Sequence, residues 1–481
     1  MKTQAQSFTS QIYRSAVGPN LVLLVAAWCG AANAQPYFME DLGALGSSSA
    51  VAINNVGQAV GGVQLTTGDN LAFVWDSENG MQTLGTLGGN YSSAHDINDL
   101  GQVIGSSETA SGESHAFVWD PVNGMQDLDT LGGRYSHAEA ISENGLIIGS
   151  AETEFGETHA FIWDQAHGIR DLGTLGGGFS SARALNGEGW VVGVSSTATG
   201  EELAFVWDAI EGMRPLGTLG GNYSSAAAIN NLGQIVGSSA TASGETHAVF
   251  WDVDLAIVDL GSLEGGYSSA SAINEMGQVV GYSDTTGGEG HAFVWSFPLG
   301  MQDLGTLGGN WSWPAALNNE GEVVGNAVNA SGEHHAFYWH ATRGMQDLGT
   351  LGGNFSMAHE INNRGQVVGG SLTTNNLIFH AFIVATITDS DGDGIPDSED
   401  GCPNSDLSPT VVIDGRDSLV INHLLGNGCT IADLIAKCAI KARNHGEFVR
   451  CVAHLTTTLR DEGVITQQDK SAIQRAAAMA D

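Results

Sequence analysis

Apolar residues in this chain fall into runs of four to seven, each closed off by Gly, Asn, Asp or Ser, and the runs recur in a fixed order. Residues 226 to 263 show the order once: Ala226 to Asn230, Gln234 to Ser239, a polar stretch, His247 to Asp252, and Ile257 to Leu263. Runs of that length fit strands and are too short for helices, which gives four strands per unit. Between the first two strands an Asn-x-x-Gly turn (Asn54 to Gly57, Asn98 to Gly101, Asn230 to Gly233, Asn318 to Gly321) places Gly where a type I turn needs a left-handed residue, so these strands read as a hairpin. A second Gly (Gly80, Gly124, Gly168, Gly212, Gly300, Gly344) turns the third strand into the fourth.

The order has a period of 44 residues, with Trp of His-Ala-Phe-Val-Trp-Asp or a close variant at 75, 119, 163, 207, 251, 295 and 339. Leu of Asp-Leu-Gly or its variant stands at 42, 84, 128, 172, 216, 260, 304 and 348, so eight units fill residues 37 to 385. A four-stranded antiparallel meander repeated in this way is the pattern of a propeller blade, and a stacked solenoid is its rival. The ends of the repeat decide. Tyr37 to Gly43 is a lone fourth strand, whereas the last unit stops after three strands at Val384. Residues 38 to 43 can supply the missing outer strand. The expected fold is therefore all-β, an eight-bladed β-propeller over 35 to 386 closed by its N-terminal strand, with seven blades and a stray unit as the alternative.

The recurring residues take structural roles first. Each third-strand Trp can bury roughly 150–250 Å² and is expected to wedge neighbouring blades together. The small Ser and Ala of the first strand suit a crowded axis. His115, His159, His247, His291, His335 and His380 open the third strand, but Leu71 and Leu203 take that place in two units, which points to packing over metal ligation. The His-Ala-Phe phrase, followed after the blade by Asp-Leu-Gly-Thr-Leu-Gly-Gly, resembles the bacterial extracellular HAF repeat family over residues 37 to 385, with Leu71, Leu203 and Asp129 as departures. The resemblance implies an exported repeat protein and brings no catalytic residues with it.

A site is best sought where one unit differs from the rest. Trp311, Trp313 and Pro314 replace the usual Tyr-Ser-Ser-Ala, and two Trp on a Gly-rich loop between blades would stack on a sugar or a peptide aromatic. A second candidate is the variable first-strand position, Val51, His95, Glu139, Arg183, Ala227, Ser271, Ala315 and His359 around the ring. If it faces the channel, His95, Glu139 and Arg183 converge on a polar or anionic ligand. Shared parity with the apolar Ile97 counts against that orientation.

Charge and cysteine usage narrow the setting. Residues 35 to 388 carry 38 Asp and Glu against six Arg and no Lys, a net of 6 − 38 = −32, which repels nucleic acid and anionic lipid. Residues 1 to 34 hold Lys2 and Arg14, an apolar run from Leu21 to Trp28, and Ala32-Asn33-Ala34, as expected of a secretory signal peptide. That apolar run is too short to span a bilayer, and no membrane span is expected elsewhere. Past Cys29 in the leader, the only cysteines are Cys402, Cys429, Cys438 and Cys451, an even set in the tail that fits disulfides in an oxidising compartment.

The tail holds the sharpest chemical signal. Residues 389 to 400 place Asp389, Asp391, Asp393, Asp397 and Asp400 at positions 1, 3, 5, 9 and 12 of a loop with Gly394 at position 6 and the Ile395 carbonyl at position 7. Carboxylates so closely spaced repel one another unless a hard divalent cation lies among them, and the cofactor expected is Ca²⁺. With Cys402-Pro403 following, residues 387 to 418 resemble a thrombospondin type 3 repeat, a calcium-binding module associated with adhesion. From 419 to 481 a small helical module is expected: Thr430-Ile-Ala-Asp433 and Thr466-Gln-Gln-Asp469 are helix starts, and Asn444-His445-Gly446 is a break. An antiparallel helical pair about that break brings Cys438 to Cys451 and leaves Cys402 for Cys429.

Together these readings describe a secreted, monomeric, calcium-binding propeller acting as a non-catalytic binding or adhesion platform for an extracellular protein or glycan. A propeller hydrolase or lyase acting on polysaccharide is the alternative.

Overall fold

The computed structural model describes residues 37, 39–43, 45–374, 378–384, 402, 405–406, 408–425 and 429–480. The leader at 1 to 34 and the acidic loop at 389 to 400, with Asp389, Asp391, Asp393, Ile395, Asp397 and Asp400, lie outside the described residues. What is described is all-β up to Val384 and ends in three short helices.

Seven four-stranded antiparallel units start at Gly46, Gly88, Gly132, Gly176, Gly220, Glu264 and Gly308 and are numbered 1 to 7 here. Unit 2 is typical, with Gly88–Ile97, Val103–Thr109, Ser114–Asp120 and Gly124–Asp127 paired in chain order. The hairpin turns are the ones the glycines call for: Gly101 N donates to Asn98 O at 3.0 Å, with Gly101 at φ 76°. Unit 8 has Gly352–Ile361, Val367–Thr373 and Phe379–Val384. Its fourth place is taken by Met39–Asp41, antiparallel, with Met39 opposite Val384 and Asp41 opposite Phe382.

Two sets of side chains join the units. At every junction a first-strand Ser hydroxyl accepts from an Ala N–H on the third strand of the preceding unit, as Ala248 N to Ser268 Oγ at 2.8 Å. Ala381 N to Ser48 Oγ at 3.0 Å carries the circle from unit 8 back to unit 1. These serines are almost fully buried, so losing one leaves a buried N–H unpaired. The turn asparagines make a second circle, from Asn54 Nδ2 to Asn98 O at 3.0 Å round to Asn362 Nδ2 to Asn54 O at 2.9 Å. Ser142 stands in the Asn place in unit 3, and its hydroxyl bonds within its own turn.

The apolar core lies between units. Phe117 of unit 2, fully buried, meets Val60, Ala72 and Leu84 of unit 1, and the same arrangement recurs round the ring. Phe is thus the wedge that Trp was expected to be. Trp75 and Trp251 are buried, but the other five repeat Trp are only partly covered. Trp251 is fully buried where Phe and Val exchange places as Val249 and Phe250.

The repeated His is structural through its pairing with an Asp of the fourth strand. His115 Nδ1 lies 2.9 Å from Asp127, His291 2.8 Å from Asp303, and His380 2.7 Å from Asp41 of the closing strand. Where His gives way to Leu71 and Leu203, the Asp places hold Thr83 and Pro215, so the two partners are lost together.

The C-terminal module has helices α1 (Ile431–Lys441), α2 (His445–Asp461) and α3 (Gln467–Met479), with capping boxes at Thr430 and Thr466 and Asn444 as the middle N-cap. Cys438 is bonded to Cys451 and Cys402 to Cys429. A hairpin, Thr410–Ile413 with Arg416–Ile421, shares its core with the helices through Val411, Ile413 and Val420. The boundary expected at 418/419 therefore cuts through this hairpin, and the folded module starts before Thr410. Asp414 and Gly415, at φ 51° and 72°, form its turn.

Candidate functional site

One end of the ring is set with aromatic rings. The fourth residue of the first strand is Tyr91, Tyr135, Phe179, Tyr223, Tyr267, Trp311 or Phe355 in units 2 to 8, each level with the start of the third strand of the preceding unit. Trp311 and Trp313, expected on a loop, lie instead within the strand Gly308–Leu317, because pairing already begins at Gly308 opposite Asn329. They also part company. Trp311 meets His334 edge-on at 5.7 Å and is partly buried. Trp313, 39% exposed, faces Tyr282 of unit 6 at 4.9 Å, and Tyr282 in turn lies 6.1 Å from Tyr267, which is 40% exposed. Tyr267, Tyr282 and Trp313 form a ladder of rings across the junction of units 6 and 7.

The inner wall explains the variable first-strand position. First strands of successive units are in mutual contact all round the ring, so they form its inner layer. In every unit the pairing of first and second strands slips by one residue at this position, between Ala94 and Asp96 in unit 2 and between Ala138 and Ala140 in unit 3. Val51, His95, Glu139, Arg183, Ala227, Ser271, Ala315 and His359 are all bulged residues. A bulge resets the alternation of sides, so parity with Ile97 does not decide where they point. Ile97 is buried, while His95 is partly exposed and Glu139 and Arg183 are exposed.

His95 and Glu139 do come together, through a residue that the sequence reading passed over. The His137 ring lies 4.4 Å from that of His95, its Nε2 is 3.2 Å from Glu139 Oε2, and its Nδ1 is 2.9 Å from Ser106 Oγ. His95 Nδ1 reaches across the junction to Ala138 O at 3.1 Å. The hydrogen bond from His137 holds the Glu139 carboxyl below its ordinary range, and Arg183 and His95 add to the effect. Burial and the neighbouring His137 hold His95 down, favouring its neutral form. The signal for His137 was its departure from Ser49, Ser93, Ser181, Ser225 and Ser269 at the same place.

Two further carboxyls sit on this wall where six units have Ala: Asp96 and Glu360. Burial pushes Asp96 up to about 6, although Ile97 N and Ile141 N both donate to it. Burial, then the nearby Asp96, pushes Glu360 up to about 8. The polar wall thus occupies units 8 and 2 to 4, whereas Ala227, Ser271 and Ala315 line units 5 to 7. Such a wall can accept and donate hydrogen bonds to hydroxyl groups, and Arg183 can hold a carboxylate.

Among the described residues, no helix is long and apolar enough to cross a membrane. The chain matches no family model and no curated protein. Among solved structures it is similar to the β-propeller domain of the Trilobed protease from Pyrococcus furiosus, at 12% identity over 63% of this chain and 98% of that chain, TM-score 0.43. It is similar to oligogalacturonate lyase from Vibrio parahaemolyticus, at 10% identity over 66% of this chain and 97% of that chain, TM-score 0.42. TolB from Acinetobacter baumannii is similar at 13% identity over 56% of this chain and 76% of that chain, TM-score 0.32. Likeness at this level assigns no activity.

Proposed function

We propose that residues 35 to 386 are an eight-bladed β-propeller of the HAF repeat kind, closed by its N-terminal strand and exported by the leader at 1 to 34. Its aromatic face acts as a non-catalytic binding platform for an extracellular glycan or protein. The observation that carries this reading is the ladder Tyr267, Tyr282 and Trp313, whose exposed end rings, Tyr267 and Trp313, offer stacking surface on the ring that also carries the polar wall of His95, His137, Glu139 and Arg183. Rings stack on the apolar face of a sugar, while the wall reads its hydroxyl and carboxylate groups. An array of extracellular glycans and peptides probed with the purified secreted chain is expected to retain a defined class of ligand. Retention of none would sink the reading.

The acidic loop at 389 to 400, of thrombospondin type 3 kind, binds Ca²⁺ through Asp389, Asp391, Asp393, Asp397, Asp400 and the Ile395 carbonyl, and with the disulfide-bonded module serves attachment. Calorimetric titration with Ca²⁺ is expected to give saturating heat for the native chain and none for Asp391→Ala with Asp393→Ala. Equal heats would remove the site.

A second reading is favoured by one arrangement, the contact of His137 with Glu139 beside a His95 held neutral, which is the equipment of an acid and base pair. It makes the protein a hydrolase or lyase acting on polysaccharide. Release of new reducing ends from acidic polysaccharide, abolished by His137→Ala, would establish that reading in place of the first.

A further inference from the structure

Between units 5 and 6, at the end of the strands opposite the aromatic face, lies a cavity of about 830 Å³. Phe250, Val258, Trp295 and Phe297 wall it, and Met276 stands at its lip. Met276 is 75% exposed and Phe297 86%, so large apolar groups face solvent here. The volume lies in the range of small-molecule sites.

The corresponding place in other units carries polar side chains. Val258 stands opposite Phe250 across the strand pair. Gln82, Gln126, Arg170, Arg214, Gln302 and Gln346 hold its place elsewhere, with Glu40 in the closing strand. In unit 4 the equivalent hollow is smaller, about 430 Å³, and Arg214 lines it, donating to Asp208 Oδ2 at 2.7 Å and pairing with Glu211 at 2.5 Å. The cavity beside unit 5 has no such cation in its lining. Phe250 replaces the Val, Ile or Tyr of other units and brings its ring 6.0 Å from Trp295. Ser296 replaces the Asp of units 1 to 5. In the turn after Asp252, Ala256 stands where six units have a left-handed Gly, and the left-handed residue is Leu255 instead, at φ 63°, a conformation that side chains rarely adopt.

Charge selects the guest. Asp252 and Glu320 are the only ionisable groups in the lining, and both are acidic. The Asp252 carboxylate accepts one hydrogen bond, from Val253 N at 2.8 Å. Aromatic faces beside carboxylates, with no basic residue, attract a cation and repel an anion. We propose that this cavity binds small organic cations, a quaternary or primary ammonium on an apolar body, with the charge between Asp252 and Glu320 and the body against Phe250, Trp295 and Phe297.

The inference stands apart from the reading of the aromatic face. Calorimetric titration of the secreted chain with benzyltrimethylammonium tests it, with neopentylbenzene as the neutral isostere and benzoate as an anion. The cation is expected to bind about tenfold or more tighter than the isostere, and benzoate not at all. Val258→Arg, which copies Arg214 at a solvent-facing position, is expected to abolish binding, Glu320→Gln to weaken it several-fold, and Trp313→Ala to leave it unchanged. Equal affinity for cation and isostere, binding that survives Val258→Arg, or absence of heat with the cation would each overturn the proposal.

Discussion

A chain that begins at Gly46, and so lacks the strand Met39–Asp41, is expected to melt about 10 °C or more below the full-length ring and to self-associate. The closing strand contributes a full antiparallel pairing with Phe379–Val384, the His380 pair with Asp41 at 2.7 Å, and the side chain of Leu42, which is 4% exposed. Removing a Leu buried to this degree costs about 2–5 kcal/mol by itself. Without the strand, Phe382, Ile383 and Val384, all now buried, form a bare edge of the kind that recruits other chains. Calorimetry with light scattering measures both effects. Leu42→Ala is the milder version, expected to lower stability within the same 2–5 kcal/mol range while the ring stays closed. An unchanged melting temperature in the truncated chain would mean that the first strand is an ornament.

Glu360→Ala is expected to stabilise the protein, and to do so more at alkaline than at acid pH. Burial raises this carboxyl to about 8, so between its ordinary range and pH 8 the folded chain keeps a proton that the unfolded chain has given up. Stability of the native protein is then greatest in acid and falls as pH rises toward 8, where the charge must be carried in place. Alanine, the residue of six other units at this position, removes the penalty. The gain at pH 8.5 is expected to be on the order of 2 kcal/mol, read as a rise of a few degrees in melting temperature, and close to nil at pH 4.5. Asp96→Ala is expected to act in the same direction over a lower range, since its carboxyl rises only to about 6. A gain of the same size at both pH values would show packing, not charge, at work.

The ring was written in the period of 44 residues, and its closure in the mismatch between a first unit with one strand and a last unit with three. Helix starts at Thr430 and Thr466, and the pairing of Cys438 with Cys451, were equally legible, because each depends on residues close in sequence, whereas the break expected at Asn444-His445-Gly446 narrows to Asn444, which caps a helix that already holds His445 and Gly446. The inner wall was not. A bulge leaves no mark in the alternation of side chains, so the orientation of His95, Glu139 and Arg183 could not be read from parity. Gly308-Gly309 looks like a loop but opens a strand, which places Trp311 and Trp313 on that strand and not on a loop between blades. The pairing of His with Asp was available in the joint loss at Leu71 with Thr83 and at Leu203 with Pro215, yet it shows only when two repeat positions are compared at once. Asp414-Gly415, a strong hairpin signal, was hidden by the acidic run before it.

Trp313 is the most exposed indole of the proposed binding face. Titration of the array-selected ligand into the native chain and into Trp313→Ala, by calorimetry at one ionic strength, tests it most directly. Loss of stacking at the ladder is expected to weaken binding about tenfold or more without lowering the melting temperature of the ring. Equal affinity of the two proteins for that ligand would contradict the account and move the binding surface elsewhere on the molecule.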